Sequence, residues 1–337
     1  MKTLFNSQKK SWQKDKNDFT FIDLFAGIGG FRIALEKLGG KCVFSSEWDT
    51  NSQKTYMTNF GDIPEGDITK ISEENIPKHN VLCAGFPCQA FSISGKRRGF
   101  SDTRGTLFFD VARIIKAKKP EIIILENVKN FAKHDDGNTL SVVLKTLEDL
   151  DYTVFYSILR SSDYGVPQAR ERIYIIAFHN RTKVSDFSFP KKNREEKIVE
   201  DILEDAIPYQ TKVIERDGIV IDKDKKVIDK RRPLQIGKIN KGGQGERIYS
   251  IKSAGITLSA YGGGVASKTG AYLVGDTIRK LSPRECARLQ GFPEDFDIPV
   301  TVNLAYKQFG DSLSVPVIEK LFKQVLKTYP KLKNNNE

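Results

Sequence analysis

Thr20-Phe21-Ile22-Asp23-Leu24-Phe25, then Ala26-Gly27-Ile28-Gly29-Gly30, then Phe31 to Leu38, reads as a buried strand, a glycine turn and a helix. The apolar run has strand length, and glycines let the backbone turn tightly and come close to a ligand. The same alternation continues downstream. Lys41–Ser45, Val81–Gly85 and Ile122–Leu125 are strand-like, and helical patterns follow them around Asn51–Asn59, Thr106–Lys116 and Thr139–Leu150. Val154–Leu159 and Ile173–Phe178 are further strands. Strands alternating with helices predict an α/β fold whose mainly parallel sheet is covered on both faces.

Beyond Phe189 the pattern changes. Residues 190–232 are charge-rich and irregular, with Lys191-Lys192 and Asp222–Arg232 as dense patches that read as solvated surface. Residues 233–275 are rich in glycine, with short strand-like pieces such as Ile256–Ala260, and predict a smaller β-rich domain. Helical order returns at Ser282-Pro283-Arg284-Glu285, which supplies an N-cap Ser, a Pro at the first helical position and a Glu placed to close a capping box. Ser312–Lys327 is a helix, too short to be a domain and expected to pack back on the first one. The chain of 337 residues thus divides into a first domain over 1–195, a smaller one over 196–282, a hinge over 283–310 and a returning helix over 311–337.

Composition narrows the function classes. The polar, Lys-containing stretch Met1–Asn17 reads as a loose lead and not as a signal peptide. No apolar run approaches the roughly 20 residues of a membrane span. A net charge of +11 without a basic amphipathic helix points to nucleic acid before membrane. Cys42, Cys83, Cys88 and Cys286 contain no CxxC spacing and only three histidines accompany them, so neither a disulfide framework nor a metal site is expected. Cys42 and Cys83 sit in or beside apolar runs and read as small buried hydrophobes.

Glu47 ends the second strand about 20 residues after the first glycine, where an acid can grip a ribose hydroxyl pair. Trp48 is suited to stack on an adenine face, and Asp67 to accept from its exocyclic amine. A dinucleotide site is the competing reading, but its fingerprint wants a small residue where Arg32 stands. Cys88 lies just past the third strand in Gly85-Phe86-Pro87-Cys88-Gln89-Ala90-Phe91-Ser92, at the sheet end where ligands bind. A basic, glycine-bearing loop follows, with Ser94, Lys96, Arg97 and Arg104. Taken alone, Cys88 is evenly balanced between a reactive thiol and a packing residue. Glu126 in Glu126-Asn127-Val128 ends the fourth strand, and Gln168-Ala169-Arg170-Glu171-Arg172 brings two arginines to another strand. Nucleophile, acid and cation at strand ends are far more specific together than singly.

In this order these elements, with Arg279–Pro293 and Gln308–Ser312, resemble the bacterial DNA cytosine-5 methyltransferase family over nearly the whole chain. The similarity extends into Lys241–Ser250 and Thr257–Gly264, where it is greatest to members that modify GCGC. The resemblance implies a Rossmann-like S-adenosylmethionine-dependent methyltransferase sheet carrying a β-rich target-recognition domain. It implies a cofactor pocket of Phe25, Gly27, Gly29, Gly30, Glu47, Trp48, Asp67, Ile68, Pro87, Leu107 and Asp311, with S-adenosyl-L-homocysteine as the product. Cys88, Glu126, Arg170 and Arg172 would be catalytic. Ser94, Lys96, Arg97, Arg104, Gln244, Arg247, Tyr261 and Thr257 would contact double-stranded DNA. The expected target is the inner cytosine of GCGC. The expected setting is a stand-alone monomer in the bacterial cytoplasm, nucleoid-associated, beside a separate restriction endonuclease. An RNA cytosine methyltransferase and a non-catalytic DNA-binding relative are the alternatives. One departure stands out: the family usually has Gly-Asn-Ser where this chain has Gly310-Asp311-Ser312, and an ionised Asp can only accept hydrogen bonds.

Overall fold

The computed structural model describes residues 9–14, 17–87, 107–206 and 211–334. Its first half is one six-stranded sheet. The elements in chain order are β1 (Phe19–Leu24), α1 (Gly30–Glu36), β2 (Gly40–Ser46), α2 (Thr50–Phe60), β3 (Val81–Ala84), α3 (Leu107–Lys118), β4 (Ile122–Val128), α4 (Asn138–Asp149), β5 (Tyr152–Arg160) and β6 (Glu171–His179). The expected alternation is present, with element ends moved by a few residues at most. The strand order is β2-β1-β3-β4-β6-β5. β1, β2, β3 and β4 are parallel, while β6 runs antiparallel to both β4 and β5.

Both faces are buried, which is why the strands read as unbroken apolar runs. Phe21, Val81, Cys83, Ile122, Ile124, Tyr174 and Ile176 point to one face, with α1 and the C-terminal helices. Ile22, Leu24, Leu82, Ala84, Ile123, Leu125, Ile173 and Ile175 point to the other, against α3 and α4. The chain leaves β1 toward β2 on one side, and β3 pairs on the other. The crevice at the carboxyl ends of β1 and β3 is therefore a topological switch point, where such sheets bind ligands.

A second sheet, in the order β11-β10-β9-β8-β7, is formed by β7 (Ile219–Ile221), β8 (Gln235–Ile239), β9 (Arg247–Ser250), β10 (Ala271–Val274) and β11 (Thr277–Arg279). It has its own small core of Ile214, Ile236, Ile239, Ile248, Ala271 and Ile278. Two expectations are corrected here. β7 lies within the charge-rich stretch read as irregular surface, and Ile256–Ala260 is not a strand. That segment instead binds the first sheet's loop. Leu258 N donates to Gln168 Oε1 at 2.9 Å, and Gly255 exchanges backbone hydrogen bonds with Pro167 and Ala169.

α5 (Pro283–Gln290), α6 (Val302–Asp311) and α7 (Val315–Thr328) close the chain. The capping box at Ser282 forms as read, and Gly291 ends α5 in the left-handed conformation. α7 packs on the first sheet, with Phe322 against Phe19 at 5.0 Å between ring centroids and Lys37 Nζ 2.7 Å from Glu319. The stretch 283–310 holds α5 and nearly all of α6, and Phe292 and Phe296 between them are buried with Phe309 of α6 in the same core. The N-terminal lead is also corrected over its described part. Trp12 is fully buried against Phe60 and Phe296, and Ser11 and Lys10 bond Asp295 and Asp297. One large aromatic side chain anchors a segment whose average composition is polar.

Candidate active site

The glycine turn joins β1 to α1 through left-handed backbone at Phe25, Gly27 and Gly29, with φ of 57°, 56° and 86°. A Cβ on Gly29 would fall 2.2 Å from the Phe60 ring, so side-chain packing as well as backbone conformation requires glycine there. Gly30 begins α1. A Cβ on Gly27 would meet nothing within 4 Å, so the turn faces open space at that point. Glu47 lies beside this space. Its two oxygens accept from Gly27 N and Asp49 N, both at 2.8 Å, and burial raises its carboxyl above the usual range. Next to it the Trp48 ring is 78 % exposed, an unusual position for so large an apolar surface. Asp67 caps a short 3₁₀ turn whose first residue, Ile68, is buried, and its hydrogen bonds with Thr69 lower its pKa. Leu107 opens α3, and Pro87 is the last described residue before Cys88. An acid held at the turn, an open glycine, an exposed indole and a second acid fit a ligand bearing a ribose and an adenine.

Asp311 ends α6, half exposed, with Lys307 Nζ 3.1 Å from its Oδ2. Lys307 also lies 3.8 Å from Asp49. Burial opposes the charge on Lys307, but Asp311 and Asp49 hold its pKa above the ordinary value. The carboxylate of Asp311 is thus partly neutralised by its own helix.

On the other side of the crevice, β4 and β6 are registered so that Val128 faces Arg172 and Glu126 faces Tyr174. Glu126 and Arg172 then meet diagonally on one face, with Arg172 Nε 3.2 Å from Glu126 Oε1. Glu126 also reaches back to the segment before Cys88, since a Cβ on Gly85 would lie 3.7 Å from its Oε2. The intervening Asn127 points the other way, and its Nδ2 donates to Phe86 O at 2.9 Å. Phe86 is itself buried between Phe108 and Phe131. The strand that carries the acid therefore fixes the chain that leads to the cysteine. Cys88 itself, with Ser94, Lys96, Arg97 and Arg104, lies outside the described residues. Among the described cysteines, burial pushes Cys42 up to about 12 and Cys83 and Cys286 well above the ordinary value, leaving these thiols unreactive.

Arg170 is 3 % exposed and donates to three carbonyls, those of Leu258, Gly310 and Ser312, at 3.2, 3.2 and 2.6 Å. Burial and the neighbouring Arg172 lower its pKa to about 10. These contacts tie the start of β6 to the Ile256–Ala260 segment and to the end of α6. Thr257 Oγ1 donates to Ala169 O at 3.2 Å, and Thr257 shares a cavity of about 230 Å³ with Val128, Lys129 and Arg172. Gln244 and Tyr261 are exposed on loops of the second sheet, and Arg247 is exposed at the start of β9. A Cβ on Gly245 would lie 1.9 Å from Gly263 O and one on Gly264 2.6 Å from Gly245 O, so the loops bearing Gln244 and Tyr261 interlock through glycines at 245 and 264.

Two residues escaped the sequence reading. Asn127 was visible only as part of a motif, although a polar residue inside an apolar strand is itself a signal. Gln168, fully buried, accepts from Leu258 N and donates to Leu289 O and Gln290 Oε1, both at 3.0 Å. Arg32, read only as an obstacle to a dinucleotide, is buried with Glu36 at 2.7 Å and Asp62 at 2.8 Å, over the Phe60 ring.

Residues 19–327 match the family model described as C-5 cytosine-specific DNA methylase. Type II methyltransferase M.HhaI of Haemophilus parahaemolyticus is 52% identical over 308 residues, covering 91% of this chain and 94% of that protein. Type II methyltransferase M.HpaII of Haemophilus parainfluenzae is 46% identical over 347 residues, covering 96% and 93%. Among solved structures, S. pombe Dnmt2 methyltransferase superposes with a TM-score of 0.67 at 22% identity, over 92% of this chain and 98% of that one. The Entamoeba histolytica methyltransferase EhMeth gives 0.71 at 19%, over 93% and 99%. These two likenesses concern the fold.

Proposed function

The chain belongs to the C-5 cytosine-specific DNA methylase family, and on that premise we propose that it methylates the inner cytosine of GCGC through a covalent bond from Cys88 to C6 of a flipped base. It is a DNA (cytosine-5-)-methyltransferase of the type II class and uses S-adenosylmethionine. The cofactor, when bound, supplies an electrophilic methyl group. Phe25, Gly27, Gly29, Gly30, Glu47, Trp48, Asp67, Ile68, Pro87, Leu107 and Asp311 would hold it, Glu47 at the ribose and Trp48 and Asp67 at the adenine.

The observation that carries the catalytic reading is the Glu126–Arg172 pair, set against the segment that leads into Cys88. A cytosine C5 is too weak a nucleophile to take a methyl group unaided. Attack of the Cys88 thiolate on C6 turns C5 into an enamine-like carbon. Glu126 hydrogen-bonds at N3 and favours its protonation, which offsets the developing charge. Arg172 orients the base at O2, and Arg170 would assist at the thiol while it holds the carbonyls of Leu258, Gly310 and Ser312. After transfer a water takes the C5 proton, and the electron pair it leaves behind expels the thiolate from C6, restoring the enzyme. The base must leave the helix to be reached, at a cost of a few kcal/mol. Ser94, Lys96, Arg97 and Arg104 would close over it. Gln244 would fill the vacated space, Arg247 read a guanine edge, and Thr257 and Tyr261 position the strand.

GCGC rests on the likeness of the recognition segment to M.HhaI. The remaining proposals are action as a monomer, beside a separate endonuclease, in the bacterial cytoplasm on the nucleoid; no helix of the described residues is long and apolar enough to cross a membrane. Bisulfite sequencing of plasmid from expressing cells tests the target. Modification at the inner cytosine of GCGC is expected, and modification confined to other sites rejects it.

A further inference from the structure

A second cavity, of about 460 Å³, opens where β5 ends and β6 begins. Its charged lining is Arg160, Lys191, Lys192 and Arg232 against Asp163 and Glu171. Both carboxylates are already engaged. Asp163, 3 % exposed, has Arg160 at 2.9 Å, Lys192 at 3.1 Å and Arg231 at 3.6 Å; burial opposes its charge, but Arg160 and Lys192 hold its pKa below the ordinary value. Glu171 has Lys129 at 2.7 Å. Arg232 is held by Asp229 at 3.4 Å, outside the cavity, and its side chain is 74 % exposed. Lys191 is exposed and makes no ion pair among the described residues. The pocket therefore keeps positive charge that its own acids do not consume.

Its position relative to the base site says what that charge meets. Glu171 lines this cavity and also the smaller one that contains Arg172 and Thr257. Across the β5–β6 ladder Arg160 is the direct partner of Glu171. A strand that leaves the target-base site over Glu171 thus passes onto Lys191, Lys192 and Arg232. We propose that this pocket binds a backbone phosphate of the DNA flanking the target base, independently of sequence. The inference rests on the DNA-methyltransferase reading and adds a contact to it. Exposed lysines bind phosphates as mobile point charges, and each phosphate so neutralised releases counterion.

The test is equilibrium binding of the full chain to two duplexes several helical turns long, one with GCGC and one without, over a series of salt concentrations. The variant Lys191→Gln/Lys192→Gln/Arg232→Gln is compared with Lys320→Gln/Lys323→Gln/Lys327→Gln, three exposed lysines on α7 that change the net charge equally. The pocket variant is expected to lower the slope of log K against log salt by about 0.9, the value for one phosphate, on both duplexes. The α7 variant is expected to leave it unchanged. Lys191→Gln alone, which disturbs no ion pair, should weaken binding in the same direction, and Lys191→Arg/Lys192→Arg should restore it. An unchanged slope in the pocket variant, or an equal loss in both, overturns the proposal. The wild-type preference between the two duplexes separately tests the target reading, so the two failures are distinguishable.

Discussion

Asp23 is fully buried in β1, and neither of its carboxylate oxygens has a hydrogen-bond partner among the described residues. Burial pushes its pKa up to about 8, with the Arg32 charge opposing and Glu47 reinforcing. Cys42, Cys83 and Tyr56 are its other titratable neighbours, all held protonated by burial. An unfolded Asp titrates near 3.8. Between about 4 and 8 the folded chain therefore carries one proton more than the unfolded chain, and stability falls as pH rises through that window. Asp23→Asn keeps the shape and removes the titration. Urea unfolding should show the variant gaining on the wild type as pH rises from 5 to 8, by at most about 1.4 kcal/mol per pH unit. A difference that is flat in pH would mean that Asp23 is ionised in the fold. The sequence placed Asp23 beside the glycine turn but held no sign of this protonation, which depends on its complete burial in the assembled sheet. Asp311 was legible as a departure, whereas its partial neutralisation by Lys307 required the helix.

At the scale of elements, local chemistry was readable and pairing was not. Ser282-Pro283-Arg284-Glu285 announced the start of α5, and the capping box forms. What the four residues could not disclose is that Glu285 is fully buried and pairs with Arg279 in two hydrogen bonds of 2.7 Å. Breaking such a pair leaves an uncompensated buried charge. Glu285→Ala is accordingly expected to cost about 3–5 kcal/mol, and Ser282→Ala, a cap bond, about 1 kcal/mol. Denaturant titration of both variants checks the order; equal losses would remove the buried pair from the account. The reversal of β6 was hidden for a similar reason. An apolar run looks the same in either direction, and only the short return through residues 161–170 sets it. Ile256–Ala260 carries strand-like residues, yet the amide and carbonyl of Leu258 go to Gln168 and Arg170, and Ile256 N donates to the Tyr272 hydroxyl, not to a ladder.

At the scale of the molecule, Arg170 and Gln168 join the first sheet, the Ile256–Ala260 segment and the C-terminal helices. Arg170 holds carbonyls from residues 258, 310 and 312, and Gln168 and Gln290 link the same segments through Ser314. The sequence displayed Arg170 as one of two arginines near the chemistry; its part as a clamp follows from contacts with residues 88 to 142 positions away. Arg170→Ala should destabilise the fold by about 3 kcal/mol or more, since it strips three buried carbonyls of charged donors. Arg172→Ala leaves those three carbonyls paired but strips the largely buried Glu126 of its partner at 3.2 Å, so it should destabilise less than Arg170→Ala while abolishing methyl transfer. Thermal unfolding alongside tritiated methyl transfer separates the two roles.

The central claim is the covalent step, and DNA carrying 5-fluorocytosine at the target tests it directly, because fluorine at C5 cannot leave as the proton does. Wild type incubated with this duplex and S-adenosylmethionine should form an adduct stable to denaturing electrophoresis, and Cys88→Ser should form none. No adduct with wild type, or an adduct that persists in Cys88→Ser, would contradict the account.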